Sequence, residues 1–237
     1  MKLSAPLYAL KRRARTLSRT ENIPLTRALD RIAAREGFAA WSLLMAKATA
    51  RLGPDELYAA LRPGDLLLLG ARPMQGKTLM SLRLAVQAIK AGRPAFFFSL
   101  EYTEADVLDR LRAIGEEPAR FGPLFAFDNS DDISALYITE KLAAAPRGSL
   151  AVIDYLQLLD QKRDNPPLAE QVTALKAFAR DRGVTIAFIS QIDRSFDPER
   201  KHVPGPEDVR LPNPLDLALF DKTCFLHGKE VQLGVAA

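Results

Sequence analysis

The segment Gly70-Ala71-Arg72-Pro73-Met74-Gln75-Gly76-Lys77-Thr78 carries the densest chemical signal in the chain. Residues 71–78 fit the phosphate-loop pattern, except that Ala71 holds the first glycine position. A loop of this form turns backbone N–H groups toward a phosphate chain. A helix starting near Lys77 adds the positive end of its dipole. Lys77 has the reach for the β- and γ-phosphates, the Thr78 hydroxyl suits magnesium, and Gly76 lets the backbone come close. Ala71, Arg72, Pro73, Met74, Gln75, Gly76, Lys77 and Thr78 together therefore read as a cradle for ATP with Mg2+. The bland alternative is a strand–turn–helix with a fortuitous Gly-Lys-Thr. By average composition such a match arises by chance in on the order of a few per cent of chains this long.

Three other apolar runs end in polar residues of useful kinds. Leu150–Ile153 leads into Asp154, placed to hold magnesium from an adjoining strand tip. Ala95–Leu100 leads into Glu101, which as a general base could polarise an attacking water; a glutamate favoured by a helix start is the other reading. Val184–Ile189 leads into Ser190-Gln191. The Gln191 amide both donates and accepts, which suits either sensing of a γ-phosphate or ordinary loop hydrogen bonding. Glu101, Lys77 and Gln191 are thus the catalytic candidates, and Thr78 and Asp154 the metal candidates.

Other suggestive residues read as structure. His202, His227 and Cys224 lack partners at metal-ligand spacing. Trp41, the Phe96–Phe98 triplet, Met74 and Met80 are expected to pack rather than react.

These residues need strand tips to hold them, and the pattern supplies the strands. Short apolar runs at 66–69, 95–100, 150–153 and 184–189 alternate with helical patterns at 79–91, 104–114, 133–145 and 168–182. Runs this apolar suit strands covered on both faces, and strand–helix alternation implies a parallel sheet with right-handed crossovers. Residues 125–127 suggest another short strand, and 222–226 with 231–235 two closing ones. The fold class is α/β, with ligands expected along the carboxyl edge of the sheet.

Before residue 64 the texture is helical. Ser4 as N-cap and Pro6 in the first turn open one helix, a second starts near Pro24 and stops at Gly37, and a third covers about 39–50. After the Gly53-Pro54 break a short helix spans 55–61. The expected domains are a basic helical segment over 1–52 and a nucleotide-binding domain over 53–237. Net charge is +4, but residues 1–51 carry 11 Lys+Arg against 3 Asp+Glu. A basic end on an acidic body suggests a polyanionic partner. Helical spacing puts Arg12, Arg15 and Arg19 on one face, and the helices around Gly37 loosely resemble a helix–turn–helix; a solvated or protein-docking face is equally open. The Pro-rich connection 191–214, with Arg194, Arg200, Lys201 and Arg210, is the second candidate for contact with such a polyanionic partner, or else a mobile surface loop. One cysteine, no apolar run of 18 residues and no signal-peptide core lead to the expectation of a cytoplasmic protein without a membrane span.

The motifs also carry a family resemblance. Gly64-Asp65-Leu66 with the loop ending in Gly76-Lys77-Thr78 resembles the start of the ATPase domain of DnaB-type replicative helicases, a RecA-like P-loop NTPase. Phe98-Ser99-Leu100-Glu101 is similar to the segment bearing that family's catalytic glutamate. Val152 through Leu158 resembles its Walker B strand. Ser190 through Ser195 resembles its Gln-bearing motif, with Asp193 where the family shows Asn, and Glu207-Asp208-Val209-Arg210 resembles a later Asp-Leu-Arg segment. The resemblance covers about residues 62–227. It implies ATP hydrolysis, a homo-oligomeric ring such as a hexamer, or a filament, and single-stranded DNA in a channel. Two departures stand beside it. The basic helices occupy the place of the family's primase-interacting domain, which argues against a primase partner. The family's Lys-x-Arg pair, which reaches a neighbour's ATP, has no counterpart, Lys229 being the nearest basic residue. Two hypotheses follow: a DNA helicase or DNA-remodelling ATPase, and a nucleotide-gated DNA- or protein-binding module that hydrolyses slowly without unwinding. A small-molecule kinase is a weaker third, because no lid or acceptor site is evident.

Overall fold

The computed structural model describes residues 3–5, 7–48, 53–162, 164–211, 213–228 and 230–235. Pro6, Lys229 and the expected end of the third helix, Thr49-Ala50, lie outside them. The chain divides into two compact units, Met1–Arg51 and Leu52–Ala237.

The first unit holds helices α1 (Leu7–Thr20), α2 (Leu25–Arg35) and α3 (Trp41–Ala48). Leu10, Ala14, Ala28, Ile32, Ala33 and Leu44 are buried together, with Trp41 packed against them. The three acids of residues 1–51 are all engaged: Glu21 pairs with Arg31, Asp30 accepts from the Trp41 backbone N–H at 2.8 Å, and Glu36 accepts from Ser4. Those bonds from Ser4 hold the Glu36 carboxyl below its ordinary range. Arg12, Arg13, Arg15 and Arg19 are exposed and make no ion pair among the described residues.

The second unit opens with α4 (Pro54–Ala60), whose Pro54 sits at a first-turn position. It continues as β1 (Leu66–Ala71), α5 (Lys77–Lys90), β2 (Ala95–Ser99), α6 (Glu104–Ala113), β3 (Phe125–Asp128), α7 (Ala135–Lys141), β4 (Leu150–Asp154), α8 (Leu168–Arg182), β5 (Thr185–Gln191), β6 (Lys222–His227) and β7 (Glu230–Val235). The strands form one sheet in the order β3-β2-β4-β5-β1-β6-β7, parallel except for the β6–β7 hairpin. Alternation splits each central strand between two cores. Leu66, Leu68, Ile153, Ile186 and Phe188 pack with α7 and α8 residues such as Ile138 and Leu175. Leu67, Leu69, Val152, Ala187 and Ile189 pack with α5 and α6 residues such as Leu82 and Leu111. Among the described residues no strand precedes Leu66, and no helix is long and apolar enough to cross a membrane.

Order in the sheet corrects one expectation. Asp154 ends β4, and β5 lies between β4 and the phosphate-loop strand β1, so the two tips are not adjacent. Thr78, in the first turn of α5, nonetheless comes within hydrogen-bond reach of Asp154.

Candidate nucleotide-binding site

Phosphate-loop geometry begins in the backbone. Gly76 has φ 83 and Met74 φ 60, the left-handed region that glycine enters freely. No protein atom lies within 4 Å of where a Gly76 Cβ would be, so it is this dihedral that calls for glycine. Met74 is 99% exposed at the loop apex, which overturns its expected packing role, whereas Met80 does pack on the core. Ala71 replaces glycine without strain because it is still a strand residue, in register with Gln191 and Leu226. Close approach is needed one residue earlier. A Cβ on Gly70 would stand 2.6 Å from the Phe225 ring. Gln75 also anchors the loop: its Oε1 accepts from the Gly228 N–H, in the β6–β7 turn, at 2.7 Å.

Lys77 and Thr78 start α5 and are each only 8% exposed. Lys77 has no ion pair among the described residues, although buried charges ordinarily have one. Asp154 is fully buried. Thr78 Oγ1 donates to Asp154 Oδ2 at 3.3 Å, long for a hydroxyl donor, and Oδ1 has no partner. Burial pushes the Asp154 carboxyl up to about 7, the Glu101 carboxylate adds to this, and Lys77, the Thr78 hydroxyl and Arg110 oppose it. A buried orphan oxygen facing a weakly held hydroxyl fits a hard divalent cation, and the uncompensated ammonium fits a phosphate chain. Among the described residues no group of three His, Cys, Asp or Glu could hold a metal, so such a cation would rely on Thr78, Asp154, water and phosphate oxygens.

Glu101 lies two residues past β2, exposed, with its N–H bonded to the Ser99 hydroxyl at 3.1 Å. Its influence on Asp154 puts it in the same electrostatic site. Gln191 ends β5, beside the end of β1, and its carbonyl accepts from the Arg210 N–H at 2.8 Å. That bond, an Ile192–Val209 bridge and Asp193 N–H to Asp208 carbonyl at 2.7 Å close the base of the connection 191–214. Part of this connection is therefore ordered. Lys201 is held by Glu207 and Asp208, and Arg200 pairs with Asp197, which leaves Arg194 and Arg210 exposed without ion pairs among the described residues.

Some features escape a reading of the sequence. Arg110, stacked 4.4 Å over the Tyr102 ring, joins the site through its charge, and no motif marks it. Ser190 has a buried hydroxyl without a partner beside the loop strand; its place just before Gln191 is the only available hint.

Against known proteins, residues 49–117 and 123–217 match the family described as DnaB-like helicase C terminal domain. The chain belongs to that family. The replicative DNA helicase DnaB of Pasteurella multocida is 30% identical over 204 residues, covering 70% of this chain and 44% of that protein. The Synechocystis replicative DNA helicase DnaB is 27% identical over 187 residues, covering 66% of this chain and 21% of that protein. The chain thus spans less than half the length of these curated relatives. The fold is shared with a solved ATPase domain, at TM-score 0.57 and 21% identity over 74% of this chain and 78% of that one. It is shared too with a KaiC-like protein from Pyrococcus horikoshii, at TM-score 0.52 and 16% identity over 68% and 70% of the two chains. The α/β fold of this DnaB-like chain is therefore RecA-like, as its motifs imply.

Proposed function

We propose that this DnaB-like chain binds ATP with Mg2+ at the phosphate loop and hydrolyses it as the motor module of a DNA helicase or DNA-remodelling ATPase. The observation that carries the reading is the buried, uncompensated Lys77 beside the orphaned oxygen of Asp154. Residues 71–78 wrap the phosphates with backbone N–H groups, and Lys77 takes the β- and γ-phosphate charge. Thr78 and Asp154 would hold magnesium, which would supply charge neutralisation for the departing phosphates. Glu101, exposed at the site, accepts the proton of the attacking water. Gln191 orients that water through its amide and passes the occupancy of the site to the 191–214 connection through its bond to Arg210.

Family membership supports single-stranded DNA as partner and a homo-oligomer, hexameric or filamentous, as the working form. Arg194 and Arg210 on the connection, and Arg12, Arg15 and Arg19 on the helical unit, are exposed cations available to phosphates.

ATP turnover with and without single-stranded DNA, in the natural chain and in Lys77→Ala, tests the proposal. DNA-stimulated turnover that Lys77→Ala abolishes is expected. Turnover that DNA fails to raise at any protein concentration overturns the motor reading in favour of a nucleotide-gated binding module.

A further inference from the structure

A second cavity lies at the opposite edge of the same sheet. It is formed by the chain just before β1, β2, β4 and β5, so about six residues of strand, roughly 20 Å, separate it from the phosphate loop. Its volume is about 550 Å³, and Arg62, Arg93 and Arg147 line it with no carboxylate among the lining residues. None of the three has an ion pair among the described residues.

Two of these arginines lie against glycines whose left-handed dihedrals, φ 88 at Gly148 and φ 65 at Gly183, already call for glycine. A Cβ on Gly148 would come within 3.2 Å of Arg93 Nε, and one on Gly183 within 2.6 Å of an Arg147 Nη. Arg93 also donates to the Arg147 carbonyl at 3.1 Å, which locks the pair together. The ordinary explanation for such cations is to offset helix C-termini, and α4, α5 and α8 all end nearby, the last at Gly183 against Arg147. Each end is worth about half a negative charge at most, so three guanidinium groups against three helix ends leave roughly +1.5 uncompensated. Tyr58 and Leu61 add an apolar wall.

We propose that this cavity is an anion site for a phosphate-bearing small molecule, gripped by Arg62, Arg93 and Arg147 with its body against Tyr58 and Leu61. Phosphate rather than carboxylate follows from the number of guanidinium forks, since a carboxylate offers only two oxygens. A small molecule rather than a nucleic-acid strand follows from size. The volume is that of a small-molecule pocket, whereas strands are held along open basic tracks.

The test uses the full chain carrying Lys77→Ala, which silences the phosphate loop, titrated with pyrophosphate in the absence of magnesium. The readout is the arginine Nε–Hε resonances in NMR. Saturable shifts at Arg62, Arg93 and Arg147 are expected, with affinity, followed at the remaining Arg62 resonance and by calorimetry, falling about tenfold or more when Arg93→Glu and Arg147→Glu are added. Both arginines are exposed, so the fold should tolerate the change. Ala59→Trp, at an exposed helix position on the cavity lining, should produce a comparable loss by filling the space without altering charge. Absence of saturable shifts overturns the proposal, as does a response to a short single-stranded oligonucleotide but not to pyrophosphate.

Discussion

Asp154 shows how one carboxylate can be costly to the empty protein. In the unfolded chain it titrates near its usual 3.8, and in the fold near 7. The native state therefore holds the extra proton between these values, and stability falls as pH rises through that window. Urea unfolding of the nucleotide-free, magnesium-free protein should show this decline from about pH 4 to 7, and Asp154→Asn should flatten it. An unchanged profile in the variant would place the proton elsewhere. Gly70 makes a second argument at this scale, because its missing side chain makes room for Phe225. Gly70→Ala should destabilise by about 1–3 kcal/mol through overpacking in denaturant titrations, whereas Ala71, a residue later, already carries its methyl group without conflict.

Among the elements, α8 depends on one polar residue for its seat. Gln171 is 2% exposed; its Nε2 donates to the Leu159 carbonyl at 2.5 Å and the Pro166 carbonyl at 2.8 Å, and its Oε1 accepts from Ala135 N–H at 3.0 Å. It joins α8 to the start of α7 and to the turn after β4. Gln171→Ala strands three backbone groups and should cost about 2–4 kcal/mol in equilibrium unfolding, more than a surface substitution on the same helix. The 191–214 connection is built on a similar economy. Its base is pinned by backbone bonds to Gln191 and Asp193 while Arg194 and Arg210 stay free of ion pairs among the described residues.

For the whole molecule, these cations and those of the helical unit give two separable surfaces. On a single strand, the slope of log K against log salt flattens by about 0.7 for each phosphate the protein no longer neutralises. Arg194→Ala with Arg210→Ala should flatten the slope for single-stranded DNA by about twice that if the connection lies in the DNA path. The same flattening from Arg12→Ala with Arg15→Ala instead would move the DNA to the helical unit. Asymmetry of charge, with residues 1–51 holding 11 Lys+Arg against 3 Asp+Glu, gives the helical unit the stronger long-range pull on a polyanion.

Local pattern alone determined the strands, the helices between them and the phosphate loop, because each is written in neighbouring residues: apolar runs for β1, β4 and β5, and a glycine before Lys77 for the turn. It also identified Asp154, Glu101 and Gln191 as strand-end residues. Strand order was beyond its reach, and with it the fact that β5 separates β1 from β4, since pairing between distant segments leaves no local periodicity. Tertiary structure alone decided that Met74 faces solvent, that Lys201 is occupied by Glu207 and Asp208, that Arg110 acts on Asp154 and that three arginines share a cavity. Each of these depends on which side chains the fold leaves without a partner, and partnership is a property of space rather than of sequence separation.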